Sequence, residues 1–263
     1  MSESIALTAK PRSVGTVSSL LTMIGRCTRL TRRDVDALIM SLMLPIMMMV
    51  LFVYLFGGAI QTGGDYVTYV APGVLLLCTV WGAAQTGVGV ANDMSTGIVD
   101  RFRSMDVGGA AMLGGHVMAS IIKNVTSTFV VIGVALLIGF RPKADALQWL
   151  AAAGVLVAFI LAMSWLAAVV GLLTKSTDAA ASFAFVMMFL PYVSSAFVPI
   201  RTLPSWLQGV AEHQPSTAII ESVRGFLLDR PVGDHAWIGL AWSGGILLVS
   251  VVLAGVFFQR RAD

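Results

Sequence analysis

The side chains with the densest potential for chemistry lie in residues 92–106, NDMSTGIVDRFRSMD, between two long apolar runs. Asp93, Asp100 and Asp106 are the only crowded acidic set, and a membrane enzyme acting on lipid headgroups would need such a set near an interface. These acids, however, alternate with Arg101 and Arg103 on different sides of the helix that 94–105 is expected to form. On that helix Met94, Ile98, Phe102 and Met105 make one stripe, spaced four, four and three. Asp100 and Arg103 point away from the stripe and Arg101 flanks it. An apolar ridge with charged flanks can plug into a groove on a partner, where aromatics and arginines anchor contacts. It can equally rest on lipid with its charges among headgroups, and composition leaves both readings open.

Other chemistry is missing. There is no G-x-x-x-x-G-K-[ST] phosphate loop; GLLTKST at 171–177 has Lys-Ser but no glycine before the lysine, so the chain is not expected to hold ATP. No HExxH or Cys/His cluster suggests a metal. His116, His213 and His235 are scattered and read as boundary residues. Cys27 and Cys78 stand far apart and imply neither disulfide nor zinc. No nucleic-acid partner is expected.

The elements that must position the 92–106 stretch are oily. The chain of 263 residues is 57% hydrophobic and 12% charged, with mean hydropathy +0.86. Soluble domains carry about 25% charged residues, so the class is all-α integral membrane. Six apolar runs fall at about 38–60, 67–91, 117–140, 147–173, 179–199 and 237–258. Each is near the ~20 residues that cross a ~30 Å core as a helix. The first run exceeds a signal-peptide core of roughly 7–15 residues and is expected to remain as a span. Twelve of the 17 Lys and Arg fall in the N-terminal segment, the second and fourth connections, the foot of the third run (Lys123) and the tail. The positive-inside rule then puts both termini, and the 92–106 stretch, in the cytoplasm.

The domain plan follows: a cytoplasmic N-terminus over 1–37, a six-span unit over 38–258 and a short cytoplasmic tail over 259–263. Within 13–33, Val17, Leu20, Leu21, Ile24 and Cys27 recur at helical spacing opposite a basic side. This predicts an amphipathic interface helix, with Arg26, Arg29, Arg32 and Arg33 toward lipid headgroups. The first run contains Pro45 and five methionines, Met40, Met43, Met47, Met48 and Met49, read as lipid-facing or core filler. Ala83, Gly87 and Ala91 form a small-residue face suited to close helix packing, within the chain or between subunits. The run interiors lack Asp, Glu, Lys and Arg, leaving Gln85 and scattered hydroxyls at mid-depth. Buried membrane charges mark ion pathways and proton relays, so an ion-coupled carrier or selective channel is not expected. A route here suits apolar or amphipathic cargo powered from elsewhere.

The loop after the fifth run, Pro199 to His235, keeps many apolar residues. Ile219, Ile220, Val223, Phe226 and Leu227 share one helical face, with Glu221, Ser222 and Arg224 on the other. Two short helices over 204–228 are predicted at the outer interface, re-entrant or lying on it. Pro204, Trp206, Glu212, Pro215, Glu221 and Arg224 are its candidate gate residues.

Two stretches carry a resemblance. Asp93 followed by GIVDRFRSM at 97–105, with Gly115 near the third run, resembles the loop after the second span in ABC type-2 permeases, nearest the daunorubicin-resistance-type branch. The usual proline after the serine is here replaced, with Asp106 following Met105. FVPIRTLPSWLQ at 197–208 and HQPSTAIIESVRGFL at 213–227 are similar to the outer loop of the same branch. The resemblance implies a permease subunit of an ATP-driven exporter in a bacterial plasma membrane, moving a hydrophobic drug or antibiotic. It implies two copies of a separate ATPase, which bind ATP and Mg, and a second permease copy as a homodimer. Gly97, Ile98, Asp100, Arg101, Phe102, Arg103 and Met105 would be the coupling residues, Ile98, Phe102 and Met105 wedging and the charges setting orientation. Lipid or polysaccharide export is the alternative cargo; a headgroup enzyme or a non-transporting scaffold is the alternative class.

Overall fold

The structure, a computed structural model, describes residues 22, 24–25, 35–60, 64–96, 109–174 and 176–260. Among these, every regular element is a helix. α1 is Val35–Leu51 and continues into a π-helical turn, Phe52–Phe56. α2 is Tyr66–Ser95, α3 Gly109–Ile138 and α4 Ala146–Leu173. α5 is Thr177–Met188; after a 3-10 turn at Ile200–Thr202 come α6, Ser205–His213, and α7, Pro215–Leu227. α8 is His235–Arg260.

Among the described residues, four helices are long and apolar enough to cross a membrane: Tyr66–Ser95, Met112–Ile138, Ala146–Leu173 and His235–Phe257. The fifth apolar run, expected as one span over 179–199, is divided. α5 has 12 residues, a rise of ~18 Å against a ~30 Å hydrocarbon core. Residues 189–198 continue as turns that bury Ser194, Ser195, Ala196 and Phe197.

The helix ends follow local chemistry. Asp145 caps α4: its Oδ1 accepts from the Gln148 N–H at 2.7 Å, and Gln148 Oε1 accepts from the Asp145 N–H at 2.8 Å. This reciprocal box satisfies two donors that a helix start leaves open. Gln148 Nε2 also donates to Asp229 Oδ1 at 2.7 Å, tying the start of α4 to the end of α7. Gly139, at φ +122°, ends α3 in a conformation a side chain would resist.

α2 is the spine. It packs against α1, α3, α4, α5 and α7, and 83% of its most apolar window is buried, against 22% for α3 and 17% for α8. Those two helices are therefore outer staves. The small-residue face expected on the second run works inside the chain: a Cβ on Gly87 would stand 2.6 Å from the Ala167 carbonyl oxygen, and one on Gly171 2.2 Å from the Gly87 oxygen. Backbones of α2 and α4 thus touch where no larger residue fits. The methionines of α1 divide, with Met49 in the core and Met43 and Met47 on the surface.

Two sequence expectations change. Lys123, read as standing at the foot of the third run, is the fifteenth residue of the 30-residue α3, because that helix starts eight residues before the apolar run does. The mid-depth polar groups also include Asn124, fully buried, whose Nδ2 donates to the Ser120 carbonyl at 3.0 Å. Ser120 and Ser164 join α3 to α4 through a 2.9 Å hydroxyl pair. The amide fits because Gly82 leaves room for it on α2.

Candidate functional site at the two ends of the central helix

At the end where α2 begins, Arg224 of α7 is buried, 5% exposed. The helical-wheel reading placed it with Glu221 and Ser222 on the face opposite the apolar residues, without saying what that face meets. In the structure α7 is enclosed by α2, α4 and α8, and Arg224 points into protein. A buried cation must be paired and hydrogen-bonded. Its Nη1 donates to Glu221 Oε1. Its Nη2 donates to the carbonyls of Tyr69 (3.0 Å) and Ser195 (2.8 Å). Its carbon centre lies 4.0 Å over the Tyr69 ring, a cation–π geometry. The planar fork of arginine is what lets one residue hold α2, α7 and the 189–198 turns together.

Those turns are pinned from several sides. Tyr66 Oη donates to the Phe197 carbonyl at 2.8 Å, and Gln214 Nε2 donates to the Val193 carbonyl. Gly73 lets the Ala196 backbone come within 2.6 Å of where a Cβ would be. Phe52 of α1 stacks on Phe197 at 4.3 Å, and Phe197 on Tyr192 at 5.1 Å. The aromatic row joins the π-helical turn to the segment that Arg224 holds.

Of the six residues expected at the outer gate, Glu221 and Arg224 form one ion pair. Pro204 precedes α6 and Pro215 opens α7, where its missing N–H costs nothing. Trp206, 76% exposed, and Glu212 stand on α6, away from that knot. Tyr66, Tyr69 and Ser195 were not anticipated; the aromatic pair in the first turn of the proline-bearing α2 was the available signal, and a carbonyl acceptor leaves none.

At the other end of α2, Asp93 is buried and meets His116 of α3, Oδ2 to Nε2 at 3.0 Å. The pair sits at the root of the 97–108 connection. His116 is thus a partner of the charged stretch and not only a boundary residue. Gly97, Ile98, Asp100, Arg101, Phe102, Arg103 and Met105 lie outside the described residues, as do Arg26, Arg29, Arg32 and Arg33.

The family model described as "ABC-2 type transporter" matches residues 18–228, which takes in α1 to α7, both ends of α2 and the 97–108 connection. The chain belongs to the ABC-2 type transporter family. It is similar, at 26% identity over 250 residues (94% of this chain and 86% of the relative), to a daunorubicin resistance ABC transporter permease protein of Streptomyces coeruleorubidus. It is 25% identical over 248 residues, 94% of this chain and 90% of the relative, to a probable doxorubicin resistance ABC transporter permease protein of Mycobacterium tuberculosis. A permease of this family works with an ABC ATPase. In this permease the buried α2 joins the Arg224 knot to the Asp93–His116 pair.

Proposed function

We propose that this chain is the membrane-spanning subunit of an ATP-driven exporter that removes a hydrophobic or amphipathic drug from a bacterial cell. The family match over most of the chain, with drug-resistance permeases aligned along 94% of it, is the observation that carries the reading. The α1–π unit and α5 with its turns add to the four long helices to make six crossings, both termini cytoplasmic. Two copies pair and dock on two ATPase subunits.

The mechanism follows from the central helix. Ile98, Phe102 and Met105 wedge into a cleft of the ATPase, while Asp100, Arg101 and Arg103 orient the contact and Gly97 lets the backbone approach. The helix carrying Arg26, Arg29, Arg32 and Arg33 lies along the cytoplasmic headgroups beside it. ATP-driven closure of the ATPases displaces 97–105, and α2 moves as a rigid body. The Arg224–Tyr69–Ser195 knot transmits that displacement to the turns of 189–198 and to α6 and α7, which gate the outer exit. Pro204, Trp206, Glu212, Pro215, Glu221 and Arg224 shape that gate. Export is directional because the ATP-bound state makes contacts the resting state lacks.

The test is efflux of a fluorescent anthracycline from cells producing the chain with its cognate ATPase. Retention of dye should fall relative to cells lacking the chain. If retention is the same with and without the chain across a panel of hydrophobic drugs, the drug-export reading fails. Lipid export, the second reading, would then be followed with a fluorescent phospholipid.

A further inference from the structure

An apolar cleft lies on the flank of the bundle between α3 and α4, with α2 and α7 as its floor. Val125, Phe129 and Ile132 form one wall, Trp149, Leu156 and Ile160 the other. It encloses about 90 Å³, and Phe129 and Val157 on its rim are exposed. From Trp149 to Ile160 along α4 is 11 residues, ~16 Å at 1.5 Å each, which is about half of a ~30 Å hydrocarbon core. The cleft therefore runs the depth of one leaflet.

Directly beyond its end is a polar bowl of about 260 Å³ lined by Arg141, Lys143 and Arg230, with Asp65, Thr68 and Tyr69. The two spaces are joined by backbone: the Lys143 N–H donates to the Leu227 carbonyl at 2.9 Å, and Leu227 lines the cleft. Arg141 Nη1 donates to the carbonyls of Leu136 and Phe140, closing the end of α3. Arg230 and Lys143 are exposed. Among the described residues, none of the three cations makes an ion pair, and Asp65 is the one acid lining the bowl. Three unpaired cations against one carboxylate favour an anion.

We propose that this composite space binds one anionic phospholipid, its headgroup phosphate in the Arg141–Lys143–Arg230 bowl and one acyl chain in the α3–α4 cleft. The apolar length matches a single leaflet, and the charge sits where a headgroup would lie. The bound chain fills the gap between two helices that contact the α2 spine, beside Val223 and Leu227 of the helix that carries Arg224. The proposal rests on the chain spanning a bilayer and is independent of the cargo.

Trp149 makes it testable without an ATPase. The purified full-length permease is placed in phosphatidylcholine nanodiscs containing increasing fractions of brominated phosphatidylglycerol or brominated phosphatidylcholine. Fluorescence quenching is read as the difference from Trp149→Phe, which isolates this residue from the other tryptophans. Brominated phosphatidylglycerol should half-quench Trp149 at a mole fraction about tenfold lower than brominated phosphatidylcholine. In Lys143→Gln/Arg230→Gln, which leaves the Arg141 helix end intact, the two curves should converge, and Lys143→Arg/Arg230→Lys should restore their separation. Coincident curves in the wild type, or a preference that survives the Gln pair, overturns the assignment. Titration with inorganic phosphate in pure phosphatidylcholine nanodiscs is the remaining arm. Saturable binding there, with no phosphatidylglycerol preference, assigns the bowl to free phosphate and overturns the lipid site. An unchanged drug-efflux result would leave this outcome untouched.

Discussion

The two ends of α2 hold their charges differently. At one end a single arginine gathers a carboxylate, two carbonyls and a ring from partners as far as 155 residues away in the chain. At the other, Asp93 meets His116 across 23 residues, on the next helix. The first arrangement locks three segments that no local interaction would bring together. The second joins two neighbouring helices at the root of their connection. In the proposed mechanism the first end is where movement would be delivered and the second where it would be applied.

The contrast predicts a ranked set of effects. Arg224→Met should be the most damaging change, because it strands Glu221 and two buried carbonyls. Each acceptor left without its donor costs about 1–3 kcal/mol, read as loss of monodisperse protein and a large drop in unfolding temperature in detergent. Arg224→Lys should lose less, but cannot reproduce the fork. If Arg224→Met melts with the wild type, the knot is not what holds this end.

Next comes Phe102→Asp. It should abolish co-purification of the ATPase while leaving the unfolding temperature of the permease unchanged. Retained ATPase would mean that residues 97–105 touch lipid and not a partner, and the lever would lose its handle. Asp93→Asn should have a smaller structural effect, about 1–2 kcal/mol for a weakened buried hydrogen bond, yet reduce drug-stimulated ATP hydrolysis more than it reduces stability. Equal losses in both would make this pair a second lock and erase the contrast. The smallest effect is expected from Tyr66→Phe, which deletes the bond to the Phe197 carbonyl. Interhelical hydrogen bonds in membrane proteins average about 0.6 kcal/mol, so its melt should shift by a degree or two. A large shift would show that the turns of 189–198 depend on α2 directly more than on Arg224.

Much of the scaffold could be read from the residues, since membrane immersion leaves few options. Apolar runs of helical length announce α2, α3, α4 and α8, because only a helix satisfies its own backbone in lipid. Two short helices were expected over 204–228, and helices stand at Ser205–His213 and Pro215–Leu227. The fifth run misled because hydropathy counts residues and not hydrogen bonds. Residues 189–198 are as oily as a helix, but their polar groups are met by Tyr66, Gln214 and Arg224.

The wheel of α7 grouped Glu221, Ser222 and Arg224 on one face but could not say what that face meets. An Arg opposite a hydrophobic stripe faces water in an isolated helix, and faces inward when α2 offers a ring and a carbonyl. By itself the sequence determined that the chain lives in a membrane as packed helices, and where a charged stretch interrupts the oil. Those properties depend on composition and local period alone. The tertiary structure decided that α2 is the spine, that Gly87 and Gly171 let backbones touch, and that Arg224 is a buried tie. Each of those depends on which distant group stands opposite, and no periodicity along one segment encodes its neighbour.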